Sequence, residues 1–460
     1  MKKMTIAEIA KATNAKILAK ENQPVEKITI SHVTQDSREA KAGSLFVPFK
    51  GENTDGHGFI ADCMQKGVTA CFTEQEIEPQ NDCVLLLVEQ TGTALLALAK
   101  YYRDQFDIPF VGITGSVGKT TTKDMVASVV SQKYNTLWTQ GNYNNEIGVP
   151  LTLFRLKEEH EVAIIEMGMN HFGEIHRLAE VVRPSIALIS NVGVAHIEYL
   201  GSREGILQAK CEIFDFMQEN GVAILNGDND MLVTLKGKLP FSVQWFGIEN
   251  KSGIYADNIQ TVGLEQTKCT MHTPKGDVDV VIPLPGSHMV LNALSAAAVG
   301  LALGLTLEEI KKGIETFVPT KNRMAVIKLE NGFTLLNDVY NSNPVSAKAS
   351  LDILQNATGR KVAVLGFMGE LGDFAQQMHE EVGAYAAQKQ IDVLCCIGKF
   401  CEYVAEGAKQ NGMEQVYCFD TQEMFWEKGF TLLQKGDTVL LKASRSMGLE
   451  KTVEKLQGVK

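Results

Sequence analysis

Short aliphatic runs recur along the chain, and each ends in a polar or glycine turn. Val162-Ala163-Ile164-Ile165 stops at Glu166, Ile186-Ala187-Leu188-Ile189 at Ser190-Asn191, and Val222-Ala223-Ile224-Leu225 at Asn226-Gly227-Asp228. Continuous rather than alternating apolar runs of four or five residues mark strands buried on both faces. Between them lie helical patterns, at 173–182 and 203–218, so this stretch reads as a parallel α/β sheet with polar residues at the strand ends. A less regular, antiparallel piece is expected over 243–283. An alanine-rich helix over 287–303 then sets His288 and Asn292 one turn apart on one face.

The same rhythm returns later in the chain. Thr334–Leu336, Val362–Leu365, Val393–Ile397 and Thr438–Leu441 are strands, each followed by a polar or glycine turn, as in a doubly wound sheet. Earlier, Leu45–Phe49 and Val84–Val88 read as strands and Thr91–Tyr102 as a helix. Thr5 and Glu8 have the spacing of a capping box that opens a helix. The expected fold is therefore α/β in three domains: a smaller N-terminal α/β domain (1–106), a central domain on a phosphate-loop-type parallel sheet (107–317), and a C-terminal Rossmann-like, doubly wound domain (318–460).

The densest chemistry falls between the strand Ile108–Val111 and a helix read over 123–133. It is Gly112-Ile113-Thr114-Gly115-Ser116-Val117-Gly118-Lys119-Thr120-Thr121. Ile113 occupies the first glycine position of the strict phosphate-loop motif, but the G-x-x-G-K-T core is intact. Backbone N–H groups of the loop and of the helix N-terminus would cradle anionic oxygens. Lys119 would reach the β- and γ-phosphates, and the Thr120 hydroxyl would ligate Mg²⁺. Glu166 ends the expected neighbouring strand, within reach of the same ion. His196 follows the next strand on the same rim, where a structural histidine is the competing explanation. Lys210 lies inside a helix and by itself reads as a surface lysine. In the N-terminal domain Ser37, Arg38, Lys50 and His57 are donors suited to an anionic or uridine-like ligand, or are solvated turns.

Composition narrows the class. The 460 residues are 45% hydrophobic and 22% charged, ample for several cores. A net charge of −11 disfavours a general nucleic-acid binder. No apolar run is long enough to span a bilayer, and no signal-peptide pattern follows the N-terminal lysines, so neither membrane insertion nor export is expected. Nine scattered cysteines without a metal-type pair fit free thiols in a reducing cytoplasm.

The set Gly115-Ser116-Val117-Gly118-Lys119-Thr120, Glu166, the His196 segment and Ala209-Lys210 resembles the Mur ligase family. Asp36-Ser37-Arg38 with Asp55-Gly56-His57, Asn144-Asn145-Glu146-Ile147-Gly148-Val149-Pro150, and Asp338-Val339-Tyr340-Asn341-Ser342-Asn343-Pro344 resemble its last-acting member. The resemblance implies ATP and Mg²⁺ as cofactors. It implies UDP-N-acetylmuramoyl-tripeptide and D-alanyl-D-alanine as the joined partners, through an acyl phosphate. It implies that Lys210 is carbamylated and ligates a second Mg²⁺ with His196 and Glu166. Asn292, Arg323, Asp338 and Tyr340 would meet ATP, while Asn144 and Asn145, with Ser37 and Arg38, would hold the UDP-linked peptide. A cytoplasmic monomer is expected. Asn322 and Phe367 depart from the family's usual Gly and Asp, and the Gly366–Gly372 loop is given no role. Two alternatives stay open: another ligase of the superfamily, adding a single amino acid or glutamate to folate, and a nucleotide-switched binding protein. The second would need a guanine signature, where the chain has Asn250-Lys251-Ser252-Gly253.

Overall fold

The computed structural model describes residues 1–51, 54–319, 323–330 and 332–458. Its centre is a nine-stranded sheet. The strand before the phosphate loop, Phe110–Thr114, lies between Val162–Glu166 and Ile186–Ile189, parallel to both. Thr136–Trp138 completes one edge. Val222–Asn226 and Ser242–Gly247 continue the parallel series on the other side. The expected antiparallel piece is present as the strands Ile254–Val262, Gln266–Thr273 and Gly276–Ile282. It extends this same sheet, because Ile254–Val262 pairs parallel with Ser242–Gly247.

Alternate residues of these strands enter different cores, which is why their sequence is continuously apolar. Val111, Ile113, Ile164 and Leu188 pack under the helices Lys119–Val130 and Ser287–Ala302. Phe110, Ile165, Ala187 and Leu225 face the other way, into a core shared with the N-terminal domain. Tyr102 anchors that junction: it is fully buried and its hydroxyl donates to Leu156 O at 2.7 Å.

The N-terminal sheet has five strands in the order Lys16–Leu18, Val84–Leu87, Ala70–Thr73, Ser44–Phe46 and His32–Thr34, parallel except at its first pair. The strand expected over Leu45–Phe49 ends at Phe46, since Pro48 has no N–H for a ladder. The Thr5–Glu8 capping box forms as expected. The C-terminal sheet has six strands. Thr334–Asn337, Thr438–Lys442, Lys361–Gly366, Val393–Ile397 and Val416–Phe419 run parallel in that order, and Ala325–Lys328 closes one edge antiparallel. It meets the central domain at several points. One lies outside the cleft, where Glu265, on the turn between two antiparallel strands, pairs with Lys328 at 2.9 Å. All nine cysteines are free thiols. Among the described residues no helix is long and apolar enough to cross a membrane.

Candidate active site

A cleft of about 600 Å³ lies at the C-terminal ends of the parallel strands, between the central and C-terminal domains. Crevices at this end of a parallel sheet collect ligand-binding loops. Ser116, Val117, Gly118, Lys119, Thr120, Thr121, Asn144, Asn145, Glu166, His196, Asn292, Arg323, Asp338 and Tyr340 all line it. The structure thus gathers residues read separately from three parts of the sequence. Gly115 and Lys210 do not line it, and Ser37, Arg38 and Lys50 lie in the N-terminal domain.

The phosphate loop has a local physical basis. A Cβ on Gly115 would stand 2.1 Å from Ser190 Oγ, so a side chain there would displace that hydroxyl. Gly118 has φ +76° and turns the chain into the helix, which starts at Lys119, earlier than its sequence pattern suggests. The loop's own amides are less available than expected. Asn191 Oδ1 accepts from Ser116 N at 3.2 Å and from Val117 N at 2.9 Å, while its Nδ2 donates to Val117 O. The N–H groups left for an anion are those of the first helical turn, which have no intrahelical acceptor. Lys119 Nζ donates to Gly115 O at 2.9 Å. Burial pulls its pKa below the ordinary lysine value; Glu166 opposes that and Arg323 adds to it.

Glu166 is fully buried at the end of its strand. Its Oε1 accepts from Asn144 Nδ2 at 2.7 Å and lies 3.4 Å from Thr120 Oγ1. Its Oε2 has no hydrogen-bond partner among the described residues. A buried carboxylate oxygen without a donor, beside a hydroxyl, suits a hard cation that takes oxygen ligands. Among the described residues no three His, Cys, Asp or Glu side chains form a metal cluster of their own. A cation here would therefore draw on Thr120 and Glu166, with His196 on the same cleft wall.

Lys210 is 1% exposed on the helix Arg203–Cys211, so the surface-lysine reading fails. That helix is shorter than expected and gives way to a 3-10 turn at Glu212–Phe214. Burial, and then the charge of Lys119, push its pKa well below the ordinary value. His288 and Asn292 share one helix face and both line the cleft. Thr122 Oγ1 donates to Asn292 Oδ1 at 3.0 Å.

The C-terminal domain closes the cleft. Arg323 donates from Nη2 to Thr120 Oγ1 at 3.0 Å and stacks on the Tyr340 ring at 3.7 Å. Arg445 approaches the same ring at 5.4 Å. Asp338 is held by Lys442 and Ser350. Asn322 lies outside the described residues. Glu370, in the loop that had no assigned role, places Oε2 2.6 Å from His196 Nδ1, off the ring nitrogen's ideal donor direction. His196 in turn holds the Glu370 carboxyl below its usual range. The loop is fixed by Met368 N donating to His379 Nε2 and by Gly369 N donating to Ser444 Oγ. Asn191, Glu370 and Lys442 are the residues that sequence reasoning missed. Their one signal is their position at or just after strand ends.

A second cavity, of about 580 Å³, opens between the N-terminal and central domains, with Thr34, Asp36, Tyr143, Arg155 and His160 in its wall. Ser37 and Arg38 adjoin it through Asp36, whose carboxylate Arg38 grips and whose pKa Arg38 lowers to about 2. Lys50 is exposed beside Asp55, in an isolated bridge. Asn144 and Asn145, expected to hold the UDP-linked peptide together with Ser37 and Arg38, line the first cleft. Tyr143 faces the second cavity, so the two spaces meet at one turn. Gly148 lets the helix Gly148–Leu153 approach this turn, since a Cβ there would lie 2.4 Å from Tyr143 Cα and C. Asn145 Oδ1 accepts from Gly148 N at 2.8 Å.

A three-domain fold with a phosphate-loop cleft shared by two domains defines an ATP-dependent, ADP-forming ligase, and this chain belongs to the Mur ligase family. It matches the Mur ligase middle domain over residues 113–300, the Mur ligase glutamate ligase domain over 322–445 and the Mur ligase family catalytic domain over 29–100. Within the family it is similar to the UDP-N-acetylmuramoyl-tripeptide–D-alanyl-D-alanine ligase of Bacillus subtilis, at 37% identity over 98% of this chain and 97% of that protein. The enzyme of the same name from Escherichia coli is 38% identical over 94% of each chain. Among solved structures, MurF from Acinetobacter baumannii superposes with a TM-score of 0.92 at 32% identity, covering 100% of both chains. MurF from Thermotoga maritima in complex with ADP gives 0.83 at 27% identity, covering 93% of this chain and 97% of that one.

Proposed function

We infer that this enzyme joins D-alanyl-D-alanine to the terminal carboxylate of UDP-N-acetylmuramoyl-tripeptide, with ATP hydrolysed to ADP and phosphate, in cytoplasmic peptidoglycan precursor synthesis. The observation that carries the reading is the meeting of two cavities at Tyr143–Asn144, one built for phosphates and the other walled by the N-terminal domain. A UDP-linked peptide anchored beside Asp36-Ser37-Arg38 would extend its free carboxylate past this turn towards Glu166. The domains act as units over 1–106, 107–317 and 318–460, and the enzyme works as a monomer.

A carboxylate is a poor electrophile, so it must first be activated. Its oxygen attacks the γ-phosphorus of ATP and the bond to the ADP oxygen breaks, giving an acyl phosphate and ADP. The amine of D-alanyl-D-alanine then attacks the acyl carbon, loses a proton and expels phosphate. Lys119 and the first-turn amides hold the phosphate oxygens, Arg323 adds positive charge from the C-terminal domain, and Tyr340 positions Arg323. Asn292 and Asp338 contribute to the nucleotide side of the cleft. Thr120, Glu166 and His196 would hold Mg²⁺, which when bound neutralises charge building up between the phosphates and the attacking carboxylate.

Lys210 completes that set as a carbamate. Its depressed pKa favours a neutral amine, which attacks CO₂ and releases a proton, leaving two oxygens that share one negative charge where an ammonium would repel a cation. The test is phosphate release by the purified enzyme. Turnover should require both UDP-N-acetylmuramoyl-tripeptide and D-alanyl-D-alanine and should vanish in Lys119→Ala. Turnover with a single amino acid in place of the dipeptide would refute the assignment.

A further inference from the structure

Glu370 and His196 come from different domains, and both hold unusual backbone conformations. His196 has φ +65° and Glu370 φ +61°, left-handed values uncommon for non-glycine residues. Each stands next to the other domain. Glu198 N lies 3.4 Å from Glu370 O, and a Cβ on Gly372 would touch Glu198 at 3.3–3.4 Å. The loop 370–372 therefore seats against the start of the helix Ile197–Leu200, which His196 opens. Among the described residues His196 Nδ1 is buried without a well-aligned hydrogen-bond partner, and Glu370 Oε2, 2.6 Å away and off the donor direction, is the charged group beside it. His196 itself lines the cleft.

We propose that Glu370 is a positioning residue for His196, delivered by the C-terminal domain, so that closing the cleft is what readies His196 as a ligand. A carboxylate on Nδ1 fixes both the ring's rotation and the nitrogen that carries the proton, and leaves Nε2 with a free lone pair. With the domains apart, Nδ1 loses that acceptor and the imidazole is free to turn. Domain closure and completion of the cation site thus become one event. The inference rests on the reading of the cleft given above.

The experiment uses the full-length enzyme and three variants: Glu370→Ala, Glu370→Gln and His196→Ala. Two quantities are read: the Mg²⁺ concentration for half-maximal phosphate release, and the nitrogen-15 spectrum of the His196 imidazole with a non-hydrolysable ATP analogue bound. Glu370→Ala should raise the Mg²⁺ requirement about ten- to a hundredfold. It should also replace the single Nδ1–H form of His196 with a mixture. Glu370→Gln keeps an oxygen acceptor for Nδ1–H, so it should restore the spectrum and most of the Mg²⁺ response. If Glu370→Ala leaves both unchanged while His196→Ala raises the Mg²⁺ requirement, the inference is wrong and the cleft reading stands. If His196→Ala has no effect on the Mg²⁺ requirement, the cleft reading fails and takes the inference with it.

Discussion

Gly148→Ala adds one methyl group outside the phosphate loop, yet it should be among the more damaging small substitutions in this enzyme. The new Cβ would lie 2.4 Å from both Cα and C of Tyr143, which are backbone atoms with no rotamer to yield. Relief to ordinary contact requires a shift of about 1 Å, and misplacement on that scale can cost about a hundredfold in rate. The displaced turn carries Asn144, whose Nδ2 holds Glu166 Oε1 at 2.7 Å, so the shift reaches the buried carboxylate directly. Overpacking should also cost about 1–3 kcal/mol of stability. Gly92→Ala is the matched control: it lies in the helix Thr91–Arg103 with nothing within 4 Å of the new Cβ. It should leave turnover unchanged and raise stability by about 0.5–1 kcal/mol. Phosphate release and thermal melting, run side by side, decide the matter. If Gly148→Ala keeps kcat within about threefold of the parent, the claim that this turn positions Glu166 is refuted.

Arg38→Ala should raise KM for the UDP-linked peptide and leave KM for ATP nearly unchanged, because Arg38 lies in a different domain from the cleft; an equal loss for both substrates would contradict a separate N-terminal site. Lys210→Ala should lower kcat by orders of magnitude with a smaller effect on ATP binding, and short carboxylic acids should partly restore it; a nearly active variant would remove the carbamate from the mechanism. His379 is fully buried and accepts from Met368 N, and burial lowers its pKa. The unfolded chain therefore binds that proton more tightly. The stability it contributes is complete above about pH 6.5 and drains as the pH falls below it. The melting temperature of His379→Gln should fall less steeply between about pH 6.5 and 5 than that of the parent, and parallel slopes would contradict this.

The residues legible in the sequence are those whose role follows from where they stand along one strand or one helix. Glu166 could be placed because a polar residue ending a buried apolar run points at the ligand end of a parallel sheet. Asn292 could be placed from its helical spacing with His288. What escaped depends on how distant segments meet. Asn191 occupies the loop amides only because its strand lies beside Phe110–Thr114. Glu370 acts only across a domain boundary. That Asn144 turns towards Glu166 while Tyr143 faces the other cavity follows from the fold, not from the sequence. Lys210 looked like a surface residue because helical periodicity alone does not show that a charged position is buried by neighbouring elements.

Consecutive residues, Tyr143 and Asn144, line different cavities, so one turn separates the two spaces. A compound occupying both would have to pass this turn. Tethering raises the effective concentration of the second fragment at its site, so two weak fragments joined there would bind far more tightly than either alone. Resistance to such a compound would be hard to acquire by enlarging Gly148, since a Cβ there would meet the Tyr143 backbone.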